Sequence, residues 1–115
     1  MHLPTTFKAL IAEAFQHELY KKLIDQLNKD FLLANIDFSF DPQDPPEQLI
    51  RTLHEAIFGL IQDKFGDYLN LLYIIDVSEK KVKMITETDA LKVTEEVTFL
   101  ILQREWQKVW YKNKY

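Results

Sequence analysis

Residues 89–112 read DALKVTEEVTFLILQREWQKVWYK, and this stretch decides the architecture. One apolar stripe runs Ala90, Val93, Val97, Leu100 and stops at Arg104. A second runs Phe99, Leu102, Trp106, Val109, with Trp110 beside it. Both follow the alternating three- and four-residue spacing of a helix-packing seam. At about 100° per residue the two stripes point roughly 160–200° apart. A single neighbour cannot bury opposite faces of one helix, so this helix lies between two layers or one stripe meets another chain. Phe99, Leu102, Trp106, Val109 and Trp110 form the candidate interface, because large aromatics on the spare face of a helix suit an interface anchor.

The preceding segments also read as helices. Thr5 and Thr6 are caps for a first helix whose apolar ladder is Phe7, Ile11, Phe15, Leu19, Leu23, Leu27, Phe31. Each four-residue step drifts about 40°, so six steps turn the ladder about 240° around the helix. Either different partners bury its two ends or it breaks near Leu19. With no Gly or Pro between Thr5 and Asn35, one continuous helix is the expectation. Asn35 to Pro46 is a loop in which Ile36, Phe38 and Phe40 alternate with Asp37 and Ser39, placing three apolar side chains on one side. Pro45-Pro46-Glu47 opens the next helix, with an acid at the positive end of its dipole. Its stripe is Leu49, Ile50, Leu53, Ile57, Leu60 and Ile61, and Gly66 is placed to end it as a left-handed cap.

Between Asp67 and Ile75, apolar residues (Tyr68, Leu69, Leu71, Leu72, Tyr73, Ile74, Ile75) surround a helix on all sides, which implies a central buried segment. The same run with Val82-Lys83-Met84-Ile85 could pair as a β-hairpin. Neither Gly nor Asn stands where a tight hairpin needs one, and Asp76-Val77-Ser78-Glu79 resembles a capping box. Two short helices are therefore expected here.

Composition narrows the class. Only two glycines and four prolines occur in 115 residues, well under half of the about 12% average usage, so turn-dense all-β folds are excluded. Zero cysteines exclude disulfide scaffolds, thiolate metal sites and a Cys nucleophile. Eighteen acidic against fourteen basic residues give a net charge of −4, the wrong sign for a default nucleic-acid binder. The longest apolar run, Leu71 to Ile75, is far short of the roughly 18 residues that span a bilayer. Met1 to Thr6 lacks a basic region followed by an apolar core, so no signal peptide is expected and the expected compartment is the cytoplasm.

The motifs that carry chemistry are sparse. Glu13 and His17 are at i, i+4, and His54 sits beside Glu55, but neither a Glu-x-x-His pair nor a His-Glu-x-x-His motif occurs. Asp37-Phe38-Ser39-Phe40-Asp41 has the oxygen spacing of half an EF-hand loop. Pro42 stands where that loop needs Gly, and Gln48 where it needs Glu. Ser39 and Ser78 lie in no nucleophile elbow, and two glycines cannot build a phosphate-cradling loop. No metal, cofactor or catalytic residue is assigned, and no cluster reaches a family signature.

Charge is unevenly spread. Asp37, Asp41, Asp44 and Glu47 carry an acidic stretch, whereas Arg104, Lys108, Lys112 and Lys114 face only Glu105 in the last twelve residues. These segments can meet within one chain or across two. The expected fold is an all-α bundle of four to five helices, at about 6–31, 46–65, 67–75, 77–86 and 89–112, with an extended loop at 35–45, in a single domain over 1–115. The expected function is a protein–protein interaction or structural module, a homodimer through the C-terminal stripe or a binder of another protein. Two alternatives stand beside it: an enzyme or ligand binder with an inter-helix pocket using Glu13, His17 or His54, and nucleic-acid binding by the basic, aromatic C-terminus.

Overall fold

The computed structural model describes residues 2–114, and these are helical without strands. Six helices follow one another: α1 (Phe7–Gln16), α2 (Tyr20–Leu33), α3 (Pro46–Asp63), α4 (Phe65–Ile75), α5 (Glu79–Lys83) and α6 (Ala90–Lys114). The small helical bundle read from periodicity is the fold.

The first helix is two helices, contrary to expectation. Thr6 caps α1, its Oγ1 accepting from Ala9 N at 3.1 Å. The helix then ends in a paired closure: Glu18 N donates to Phe15 O at 3.0 Å and Leu19 N to Ala14 O at 2.8 Å, with Glu18 at φ 57°. This is the Schellman arrangement, which satisfies the orphan carbonyls of the last turn. The break answers the drifting ladder. Leu10 and Ala14 of α1 and Leu23, Ile24, Leu27 and Phe31 of α2 are all buried, because the two halves are free to turn toward the same core. Phe15 and Tyr20 stack across the joint at 4.7 Å.

The same closure recurs at Asn35 (φ 61°) after α2 and at Asp76 (φ 70°) after α4. All three left-handed positions are non-glycine. Gly66 is not a cap: α3 ends at Asp63, Lys64 forms a one-residue joint, and Gly66 lies in the first turn of α4. Asp76 likewise ends α4 rather than starting α5, which is capped by Ser78, whose Oγ accepts from Lys81 N. That helix is shorter than expected and buries no residue.

The loop after α2 folds back along it. Asn28 holds Phe40 by both backbone groups, accepting from its N–H at 2.7 Å and donating to its carbonyl at 2.9 Å. Phe40 is buried edge-on to Phe31 at 5.1 Å. Tyr20 Oη donates to Asp44 O at 2.7 Å. Burial, with the charges of Asp44 and Glu47, pushes the Tyr20 hydroxyl up to about 12, so it stays a donor.

α6 is the axis of the bundle and packs against each of the other five helices. Of its two stripes, the second is buried at Leu102, Trp106 and Val109, while the first is buried only at Val97, with Ala90 exposed and Val93 and Leu100 partly open. The 67–75 segment, expected to be central, has Tyr68, Leu71 and Ile75 buried and its opposite side open. No helix of the described residues is long and apolar enough to cross a membrane.

Candidate functional site

The C-terminal stripe lies largely within the chain's own core. Leu102 and Trp106 are 0% exposed and Val109 is 1%. A partner has no access to these three side chains while the bundle is folded. Phe99 is half-buried, edge-on to Phe7 at 5.1 Å, and Trp110 is half-buried against His17 at 4.6 Å.

Arg104, which interrupts the first stripe, has a partner elsewhere. Its guanidinium reaches the end of α4, with Nε 3.1 Å from Asp76 O and a terminal nitrogen 3.0 Å from Asp76 Oδ2. One turn on, Lys108 Nζ donates to Ile75 O at 3.3 Å and to Asp30 Oδ2 at 2.6 Å, and lies 3.1 Å from Glu105 Oε1. Two of the four bases of the C-terminal segment are thus spent capping α4, where cations oppose the negative end of the helix dipole.

Asp30, Glu105 and Lys108 form a buried centre joining α2, α4 and α6. Burial pushes the Glu105 carboxyl up to about 9, reinforced by the neighbouring Asp30. Burial alone would raise Asp30 as well, but hydrogen bonds with Glu105, Lys108 and Gln26 and the Lys108 charge bring it below its ordinary value. The acid pair therefore carries one proton on Glu105 at neutral pH, and with Lys108 the centre is neutral overall. None of these three residues lines either surface groove described below, and their contacts join α2, α4 and α6.

The histidines are not brought together. His54 Nε2 is 3.4 Å from Leu91 O near the start of α6, while His17 packs on Trp110 near its end. Nineteen residues of helix separate those contacts, about 28 Å at 1.5 Å per residue. Among the described residues, no group of three or more His, Asp or Glu is placed to hold a metal ion. Nor do the acidic loop and the basic end meet: Asp37, Asp41, Asp44 and Glu47 form no ion pair among the described residues.

Exposed apolar residues occur on several elements, among them Leu32 and Leu33 of α2, Met84 and Leu91, and on α4 they line up along one face. Phe65, Leu69 and Tyr73, spaced at i, i+4 and i+8, are 54%, 51% and 81% exposed. Beside them a groove of about 640 Å³ runs between α4 and α5, floored by Leu69, Leu72, Val77 and Val82 and rimmed by Asp76, Glu79 and Lys83. Another groove, of about 680 Å³, lies on the far side of α5, where Phe7, Met84, Ile85, Phe99 and Leu100 are flanked by both signs of charge. Periodicity found the apolar character of 67–75 but carried no signal of which side would remain open. No family model, curated protein or solved structure matches this chain, so its functional reading rests on geometry alone.

Proposed function

We propose that this chain is a protein-docking module whose contact surface is the outward face of α4 with the adjoining α4/α5 groove. One observation carries the reading: Phe65, Leu69 and Tyr73 line up along a single helix face and stay exposed although the core beneath is closed. Single exposed apolar residues are ordinary, but an aligned ridge bordering an apolar groove is the form of an interaction site. Two of the three are aromatic, a type enriched at interface hot spots. This reading keeps the interaction role expected from the sequence and moves its surface from the C-terminal stripe to α4. The pocket reading has less support, because the histidines sit at opposite ends of α6.

Photo-crosslinking tests it. A benzophenone side chain introduced at Tyr73 should capture protein in cell extract, and Leu69→Asp in the same molecule should abolish the adduct. The same side chain at Glu55, on exposed α3 surface, serves as control. Equal yields from both positions, or adducts indifferent to Leu69→Asp, would remove the reading.

A further inference from the structure

We infer that residues 78–88, which carry α5, form a hinged strap that swings away from α4 and α6 as a unit while the bundle beneath stays folded. The inference goes beyond the docking reading and does not depend on it, since it concerns a movable wall of the groove and not what occupies it.

The chain has two long connections, and they are held in different ways. Residues 35–45 are bolted down: Phe40 is buried, Asn28 bonds both of its backbone groups, and Tyr20 Oη donates to Asp44 O. Residues 78–88 contain no buried residue. Their hydrogen bonds close on themselves, Val82 N donating to Ser78 O, Met84 N to Lys80 O, Ile85 N to Val82 O and Lys81 N to Ser78 Oγ. The Lys83–Glu79 ion pair also lies inside the segment. Among the described residues, no hydrogen bond or ion pair ties 78–88 to another helix, and Glu87 reaches only as far as Asp89, the cap of α6. What remains is apolar contact of Val82 and Ile85 with the core. Segments with few buried apolar groups and exposed hydrogen bonds are the ones that open locally.

The two ends are clipped. Arg104 binds the carbonyl and the carboxylate of Asp76, and Val77 N donates to Leu72 O in the closure of α4. At the other end Asp89 Oδ1 accepts from Leu91 N at 2.9 Å and Lys92 N at 3.3 Å. Motion is therefore confined between two fixed points, the arrangement of a hinged element. Space to move is present as well. The α4/α5 groove lies on one flank of the strap and the groove of about 680 Å³ on the other. A third hollow, of about 300 Å³, joins them: it shares Val77 and Ser78 with the first and Lys81 and Leu100 with the second. With the strap swung out, the three become one apolar trough walled by Leu69 and Leu72 of α4, Phe99 and Leu100 of α6 and Phe7 of α1.

Amide hydrogen exchange of the full chain tests the inference. The Val82, Met84 and Ile85 amides should exchange together through an opening insensitive to low denaturant, about a hundredfold or more faster than Ile101 of α6, which waits for global unfolding. The chain has no cysteine, so Lys81→Cys with Glu96→Cys, which line one groove from α5 and α6, gives a unique bismaleimide crosslink between strap and bundle. Crosslinking should slow the three strap amides about tenfold or more relative to the same variant left open. Val82→Asp, which removes one of the two apolar anchors, should speed them and hardly move the thermal midpoint. Strap amides that exchange only together with Ile101 would overturn the inference by making the segment part of the cooperative fold. Rates indifferent to the crosslink would overturn it as well, because the turns would then fray in place without swinging. A midpoint lowered by Val82→Asp as far as by Leu71→Ala, on the buried side of α4, would show that the segment holds the bundle together, which is the opposite of a strap.

Discussion

In α6, buried residues spread over most of the helix circumference from Thr94 to Val109, because it packs against five other helices of the same chain, while Glu95 and Glu96 stay exposed. In α4, apolar residues also surround the helix, yet it packs against α2, α3 and α6 on one side only and leaves Phe65, Leu69 and Tyr73 uncovered. The two share a pattern and differ in their neighbours. An all-round apolar helix needs more than one partner, but the pattern does not say whether those partners belong to its own chain.

The comparison breaks first at its extremes. Trp106→Ala empties a fully buried site and should cost about 3–5 kcal/mol in denaturant unfolding, against less than about 0.5 kcal/mol for Tyr73→Ala in the dilute chain. Similar costs for the two would erase the distinction. Next comes the centre that ties the two helices together. Lys108→Ala leaves the Asp30 carboxylate buried without its cation and uncaps α4, so a loss of about 3 kcal/mol is expected. A loss near zero would mean that α6 does not grip α4 through this lysine.

The same centre gives stability a direction in pH. Glu105 is raised from 4.5 to about 9 in the folded chain. Its contribution is fully present below pH 4.5 and declines as pH rises toward 9, because the unfolded chain gives up a proton that the folded one keeps. The slope approaches about 1.4 kcal/mol per pH unit. Asp30, lowered by its partners, acts oppositely: its contribution exists above the ordinary carboxylate range and fades as pH falls through its lowered value. Unfolding measured from pH 5 to pH 9 should show the decline, and Glu105→Gln should flatten it. An unchanged slope in that variant would place the titrating group elsewhere. The smallest effect belongs to the joint between α1 and α2. Glu18→Gly relieves a left-handed backbone and should stabilise by about 1 kcal/mol, read as a rise in thermal midpoint. Destabilisation would mean that the Glu18 side chain contributes more than its backbone strain costs.

The positions of α3, α4 and α6 and the returning loop at 36–40 were readable because they rest on local periodicity and proline placement. The drifting ladder put a break near Leu19 among the alternatives, but the lack of Gly or Pro argued against it; the break turns on a glutamate in a conformation usually left to glycine, with a ring stack across the joint. Gly66 misled for the converse reason: a glycine reads as a cap, and this one lies inside a helix. The two stripes of α6 left open whether it lies between two layers or meets another chain; α6 packs against five helices of its own chain, and periodicity cannot tell such neighbours from those of another chain. Arg104 was visible as an interruption, yet its partner Asp76 is 28 residues away, and Lys108 lies 78 residues from Asp30. Contacts at that separation leave no trace in spacing. The open face of α4 was hidden by the same limit, since seven apolar residues in a row of nine look central until their neighbours are known.

The most direct measurement compares hydroxyl-radical labelling of Trp106 with that of Phe65 and Tyr73 in the dilute folded chain. This account predicts ready labelling of Phe65 and Tyr73 and near-complete protection of Trp106, because α6 lies in its own core while the outward face of α4 is open. Trp106 labelled as readily as Tyr73 would contradict it, placing the uncovered surface on the C-terminal stripe after all.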